Sequence, residues 1–463
     1  MRLSRICRSS QLVISLRGAS LSCGAPLNFK YTNMNNETIN KTSDVFGITR
    51  DIPMNYVSRP GVDNTFKNNF QRGKHIVVFG SSKQGKTSLR KKELEENEYI
   101  LIQCSNRNEI RDINANILKR AGYEITTSTK NSISGKAKVI ATFKSLFGIF
   151  DAGGEAEMAK AREVTVAPIE LDIEDVNDVI QALKSIKFDK FIILEDFHYL
   201  KPEVQRDFSV ALKAYHEISD FIFIIIGVWL EENRLIVYNG DLTGRVIAVN
   251  ADKWSDDELM QVIEAGEALL NVAFNGAFKN RLIASAFESV YIVQEAYYIT
   301  CAQNGVDETQ EIYREIGNEE DVEKIIKTIV DQQSGRYNSF ITGFADGFQD
   351  TELKMYKWLL YPILCCEPSE LESGLRLSKI RETIAKVHPK ENELNPGNIT
   401  QALKNCSGLQ VKKNITPIVL DYDQTNLRLN VVDRGFIIWL GYQDKADLME
   451  LAGLPNDIST SGK

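Results

Sequence analysis

Between Ile76-Val77-Val78-Phe79 and Ser88-Leu89-Arg90-Lys91 the chain reads Gly80-Ser81-Ser82-Lys83-Gln84-Gly85-Lys86-Thr87. An apolar strand that passes through a glycine-spaced loop straight into a helix constrains the fold more than any other feature of the sequence. The glycines let successive backbone N–H groups curl around a phosphate, Lys86 reaches the β- and γ-phosphates, and the Thr87 hydroxyl is a magnesium ligand. The helix that starts here adds the positive end of its dipole to the same anion site. The pattern predicts an α/β P-loop NTPase core that takes ATP and Mg²⁺, with Gly80, Ser82, Lys83, Gln84, Gly85, Lys86, Thr87 and Ser88 at the nucleotide.

At 463 residues the chain is too long for one core and is expected to form two or three domains. Its formal charge of -8 excludes a protein that coats nucleic acid through bulk charge, while leaving room for a local basic face. Seven cysteines without Cys-x-x-Cys spacing suit neither a zinc ribbon nor a secreted disulfide framework, so they read as reduced thiols of a cytoplasmic protein. Four dispersed histidines make no metal cluster. No run of ~18–20 apolar residues is present to span a membrane. Arg2, Arg5, Arg8 and Arg17 precede the first acid, Glu37, which has two readings: an organelle targeting segment, or an extension upstream of a start at Met34. Residues 1–49 are expected to be a flexible extension.

Strand-like runs at 99–103, 191–194 and 221–226 alternate with helical patterns at 110–121, 173–186 and 202–218. Such alternation implies parallel β-α-β units that bind ligands at the carboxyl ends of their strands. Residues 131–165, with Phe143, Phe147 and Phe150, read as an insertion or hairpin. From Trp254 the strand pattern stops, and the capping box Ser255-Asp256-Asp257-Glu258 opens a helical stretch to about residue 333. Helices are then expected at 353–364 and 378–387, and a third, capped by Asn395 with Pro396 at its first position, is read to stop at Gly408. Strands at 409–413 and 426–432 would complete a winged helix. The domains are therefore placed at 50–250 (ATPase core), 251–340 (helical lid) and 341–463 (winged helix).

The strand at 191–194 ends in Glu195-Asp196. Paired acids at such an end form the second half of a P-loop site, one shaping the Mg²⁺ shell and the next polarising the attacking water. The usual order is Asp then Glu; here Glu195 takes the metal role beside Thr87, and the shorter Asp196 the base role. The third strand ends in Gly227-Val228-Trp229, without the polar side chain that often senses the γ-phosphate, and Glu231 and Asn233 are the nearby substitutes. Arg245 follows a turn and precedes the strand-like 246–249. Its fixed charge and planar fork suit a γ-phosphate reached from a neighbouring copy, and equally a structural ion pair.

Taken together, Tyr56-Val57-Ser58-Arg59-Pro60, the loop, the acid pair, Gly227-Val228-Trp229, Arg245 and Trp254-Ser255 with Gly266 resemble the AAA+ and STAND branches of P-loop ATPases. Within them the chain is similar to bacterial and archaeal ATPases of the origin-recognition type. The resemblance covers about residues 50–335 and implies that Arg59 lies near the adenine. It also implies a lid whose helix at 285–298 lacks the usual sensor arginine. Two functions remain open. One is an ATP-hydrolysing switch that controls a companion effector or regulatory protein, as STAND-like ATPases do in antiviral or conflict defence. The other is an initiator-like or transposition-regulating ATPase that oligomerises on duplex DNA. A winged helix would read DNA through Asn398, Thr400, Gln401 and Lys404, with Lys412 and Lys413 near phosphates, or would dock on protein.

Overall fold

A computed structural model describes residues 38–131, 137–143, 168–348 and 352–455. The lead carries two short helices, α1 (Thr42–Val45) and α2 (Asp63–Asn68). The sheet domain then runs β1 (His75–Phe79), α3 (Lys86–Glu93), β2 (Tyr99–Gln103), α4 (Ile110–Arg120), β3 (Tyr123–Asn131), β4 (Ala137–Phe143), β5 (Ile169–Leu171) and α5 (Val176–Ser185). It continues through β6 (Phe191–Glu195), α6 (Pro202–Ile218), β7 (Phe223–Ile226), α7 (Arg234–Tyr238) and β8 (Val246–Asn250). Five of these strands form a parallel sheet in the order β2-β6-β7-β1-β8. Helices cover both faces, so the strands read as continuous apolar runs, and every residue of β1 and β7 is buried. Strand β7 lies between the loop strand and the acid strand, which sets the carboxyl ends of all three on one edge. The insertion between α4 and α5 is an antiparallel sheet in the order β3-β4-β5. Phe143 lies in it, whereas Phe147 and Phe150 fall outside the described residues.

The lid comprises α8 (Asp256–Leu270), β9 (Val272–Phe274), α9 (Gly276–Ser285), α10 (Val290–Gln303), β10 (Arg314–Ile316) and α11 (Val322–Asp331). Two departures from the sequence reading occur here. Strands do not vanish after Trp254, because β9 and β10 pair in parallel. The stretch 285–298 is split between α9 and α10 by Ala286–Ser289, where Phe287 and Glu288 both adopt positive φ. Residues 40–49, expected within a flexible extension, belong to the lid: Thr42 Oγ1 donates to the Val306 carbonyl at 2.7 Å, and Phe46 stacks on Tyr297 with centroids 5.4 Å apart.

The C-terminal part follows as α12 (Ser334–Asp346), α13 (Met355–Cys365), α14 (Pro368–Glu372), β11 (Leu375–Arg376), α15 (Leu377–Val387), α16 (Pro396–Lys404), α17 (Cys406–Lys412), β12 (Leu420–Asp423), β13 (Arg428–Val431), α18 (Arg434–Leu440) and α19 (Lys445–Leu451). The antiparallel order β11-β13-β12, with α13, α15, α16 and α17 around it, is the arrangement of a winged helix. The stretch 409–413 is not a strand; Gly408 lies inside α17, and the first wing strand is β12.

One apolar core runs from Val45 and Phe46 through the lid to Leu454, so lid and winged helix are packed as one body. Helix α11 shows how, with Val322, Ile325, Ile326, Ile329 and Val330 on one buried stripe at 3.6-residue spacing. The sheet domain has separate cores on its two faces. Gly266 in α8 is where the lead docks: a Cβ there would lie 2.1 Å from the tip of the Phe46 ring. Gly266→Ala should therefore destabilise the protein by about 1–3 kcal/mol through overpacking. Chemical denaturation tests this, and an unchanged midpoint would show that Phe46 is not held there.

Candidate nucleotide site

Strand β1 delivers the chain to Gly80 at the carboxyl edge of the sheet, where space is limiting: a Cβ on Gly80 would lie 2.8 Å from the Asp252 nitrogen. Gly85 caps α3 at φ +83°, a conformation that glycine adopts without strain. Between them the loop folds into a cavity of about 340 Å³ lined by Ser82, Lys83, Gln84, Gly85, Lys86, Thr87 and Ser88. Its volume is in the range of small-molecule sites. Gly80 supports the loop from behind.

The chemistry of the lining fits Mg²⁺-ATP. The Thr87 hydroxyl donates to Glu195 Oε1 at 2.7 Å, bringing together the two oxygen donors assigned to the metal from sequence. Hydroxyl and carboxylate oxygens are the hard ligands that magnesium takes. Lys86 Nζ lies within hydrogen-bond reach of the Gly80 and Ser81 carbonyls, so its ammonium sits at the mouth of the loop. Bound there, Mg²⁺ would neutralise phosphate charge. The chain's own part is to aim Lys86 and the loop amides at the phosphates, and to hold the Asp196 carboxylate in the cavity. Asp196 accepts a hydrogen bond from Gln103 Nε2. Burial, and then the charge of Glu195, raise its pKa, which favours a proton acceptor.

The other wall comes from residues that sequence reasoning did not assign. Gly47, Ile48, Thr49, Asp51 and Tyr56 of the lead face Trp254, Tyr291 and Gln294 of the lid. Asn55 and Gln294 exchange amide hydrogen bonds of 3.1 and 2.9 Å, which ties lead to lid. Lys83 lies 3.6 Å from the Tyr291 ring centroid, and Gln84 donates to the Glu288 carbonyl at 3.1 Å, so the loop also grips the lid. Behind Gly227-Val228-Trp229 lies the buried His198, whose Nδ1 accepts from the Val228 N–H at 3.2 Å. Burial, with Lys86 and Arg234 adding, holds its imidazole well below the ordinary pKa and hence neutral.

Four other candidate residues lie outside the cavity lining. Arg59 does not line the cavity; its guanidinium stacks 4.0 Å from the Trp254 ring and donates to the Ala251 and Lys253 carbonyls, so it acts behind the wall. Glu231 points away from the loop and accepts from the Thr425 hydroxyl at 2.8 Å, while Asn233 precedes α7 as an exposed residue. Arg245 sits at the amino end of the sheet, where its carbonyl accepts from His75 N–H, and its side chain pairs with Glu217 at 2.7 Å. Five-residue β1 separates that end from the loop by about 16 Å, so Arg245 cannot serve its own site.

The winged helix holds the loop from outside the cavity. The Ser82 N–H donates to the Val432 carbonyl at 2.9 Å. The Ser81 N–H donates to Asp252 Oδ1 at 2.6 Å, and the other oxygen of that carboxylate accepts from Arg434 at 2.9 Å. Further out, Arg234 pairs with Asp421 on β12, both buried. Asp421 and Asp423 are both interior residues. Around α16, Thr400 accepts from Arg381 at 2.8 Å and Asn398 closes the capping box with Asn395, which leaves Gln401 and Lys404 as the exposed members of that face. Lys412 lies 5.0 Å from the Phe348 ring centroid, and Lys413 lies 4.0 Å from Asp346.

Strand order, loop and acid pair define an α/β P-loop NTPase fold. Among solved structures the chain is similar to a Walker-type ATPase of Pyrococcus abyssi, at 11% identity and a TM-score of 0.48 over 85% of this chain and 99% of that one. It is similar as well to Cdc6p of Pyrobaculum aerophilum (11% identity, TM-score 0.38, 90% and 99% covered). A third is the ORC1 protein of Aeropyrum pernix, solved in complex with DNA (9% identity, TM-score 0.41, 90% and 98% covered). No protein-family model matches the chain, and no curated protein matches it. Among the described residues, no helix is long and apolar enough to cross a membrane.

Burial lowers the pKa of Lys86 to about 8. A bound phosphate favours its charged form, so binding takes up a proton above that pH and none below it. ATP affinity should be level near neutrality and fall beyond pH 8, toward about tenfold per unit. Fluorescent-nucleotide titrations at several pH values check this, and a profile level to about pH 9.5 would contradict it.

Proposed function

We propose that this protein is a slow, Mg²⁺-dependent ATPase that works as a molecular switch, in which the nucleotide decides whether the winged helix stays docked on the phosphate-binding loop or is released to a partner. The observation that carries the reading is the double hold on the loop, Ser82 to the Val432 carbonyl and Ser81 through Asp252 to Arg434. A shift of the loop around phosphate is felt at both contacts.

The energetics of the docked face support release. It is fastened by two buried ion pairs, Arg234 on Asp421 and Arg434 on Asp252. Arg234 Nε, Arg434 Nε and Nη1, and Asp421 Oδ1 have no hydrogen-bond partner among the described residues. Buried pairs repay little more than their desolvation, and each orphaned polar atom costs about 1–3 kcal/mol. Opening returns these groups to water, so the docked state is held by geometry rather than by a large apolar area. Glu195 and Thr87 are read as the metal residues, Asp196 as the base, and Arg245 as a residue offered to a neighbouring copy in a homo-oligomer. By resemblance to STAND ATPases, the partner is a companion effector or regulatory protein, and a conflict-defence setting follows.

A second reading, an initiator-like ATPase on duplex DNA, is favoured by one feature. Arg376, Arg381 and Arg428 frame a cavity of about 590 Å³ at the wing, suited to backbone phosphates.

Two experiments separate these readings. Asp421→Asn removes the charge partner of Arg234 across the docked face, leaving Glu231 on its own side, without touching the cavity. It should speed nucleotide release about tenfold or more and expand the particle in X-ray scattering, since losing one partner of a buried pair costs about 3–5 kcal/mol. Wild-type release with wild-type dimensions would sink the switch. Hydrolysis measured with and without duplex DNA, alongside mass photometry in ATP and ADP, decides the second reading. A switch is indifferent to DNA, whereas an initiator is stimulated by it and assembles, with Arg245→Ala slowing hydrolysis only where copies associate.

A further inference from the structure

Arg90 lies four residues beyond Lys86 on α3, so the two side chains leave the same face of the helix. It is buried, and its guanidinium makes two directed contacts. Nη2 stands 3.3 Å from Glu195 Oε2, and Nη1 donates to the Tyr99 hydroxyl at 2.7 Å. The other oxygen of Glu195 is the one that accepts from Thr87. The carboxylate assigned to the metal is therefore shared between the metal-binding hydroxyl and a cation fixed in the same helix.

We propose that Arg90 is a positioning residue that competes with Mg²⁺ for the Glu195 carboxylate and so sets a high magnesium requirement for nucleotide binding. A buried carboxylate is costly without a counter-charge, and a guanidinium, which does not lose its proton, supplies one before metal arrives. That same charge repels a divalent cation entering between Thr87 and Glu195, and burial leaves the repulsion weakly screened by salt. Tyr99 matters because its hydroxyl fixes which way the fork points. The inference rests on the Mg²⁺-ATP reading of the loop.

The test is fluorescent-ATP binding to the full chain, in EDTA and across a MgCl₂ titration. Arg90→Met should lower the magnesium concentration for half-maximal enhancement about tenfold while changing metal-free affinity less than about twofold. Arg90→Lys, which keeps the charge, should stay closer to wild type. Tyr99→Phe should shift the requirement in the same direction by about two- to threefold, and it decides the matter should Arg90→Met fail to fold. An unchanged or raised requirement in Arg90→Met, or in Tyr99→Phe where the first variant does not fold, overturns the proposal. Failure of the underlying site looks different: Lys86→Ala would then bind nucleotide as well as wild type in both EDTA and magnesium.

Discussion

The Asp252 carboxylate is the point on which the arrangement turns. It lies just beyond β8, where the sheet domain passes into the lid, and it joins the Ser81 N–H to the Arg434 guanidinium. Burial alone would raise its pKa, but Arg434 and the Ser81 hydrogen bonds outweigh that and hold it below the usual carboxylate range. A buried carboxylate stays ionised only while such partners remain in place. The phosphate loop, the exit of the sheet and the winged helix are therefore parts of one electrostatic unit. Gly80 follows from the same constraint, since the Asp252 backbone occupies the space a side chain would need.

Two kinds of seam divide the molecule. The lid and the winged helix share a continuous apolar core, in which Tyr337, Phe340, Phe436 and Trp439 pack ring on ring. Between that body and the sheet domain the apolar contact around Val228, Val411, Ile418 and Val432 is small, and charged pairs do most of the fastening. Water competes well for separated ions and poorly for buried rings. Motion is therefore expected across the ionic seam, with lid and winged helix moving together, and the nucleotide cavity lies on that seam.

Local features of the site were legible in the sequence, and long-range ones were not. The loop, Glu195-Asp196 and the buried strands each reveal themselves within a few residues, because the chemistry is written in one backbone segment. The cavity wall at Gly47–Tyr56 meets Tyr291 and Gln294 across more than two hundred positions, and Arg434 meets Asp252 across 182. No periodicity encodes such pairs. The misread stretch at 409–413 is instructive: Leu409-Gln410-Val411-Lys412 alternates like a strand, yet Gln410 is a fully buried helical residue whose amide takes the N–H groups of Val419 and Leu420. Two acids within three positions, Asp421 and Asp423, suit solvent when judged locally, and the distant Arg234 is what makes burial of the first tolerable.

The inverted order of the acid pair has a backbone explanation. Asp196 follows the last residue of β6 at φ +59°, ψ +34°, the left-handed region, where the chain turns sharply into the short helical turn at 197–199. Asp and Asn enter that region more readily than longer side chains, because their short polar groups can bond locally. A glutamate at 196 would sit in that turn at greater cost and would reach further into the cavity. Glu195, still within the strand and paired with Gln103 in register, has ordinary extended backbone and enough length to reach Thr87 on α3. The turn thus places the longer acid beside Thr87 and the shorter in the cavity. Gln103 then fixes the Asp196 carboxylate from the neighbouring strand, so its place is set by the sheet rather than by a flexible loop.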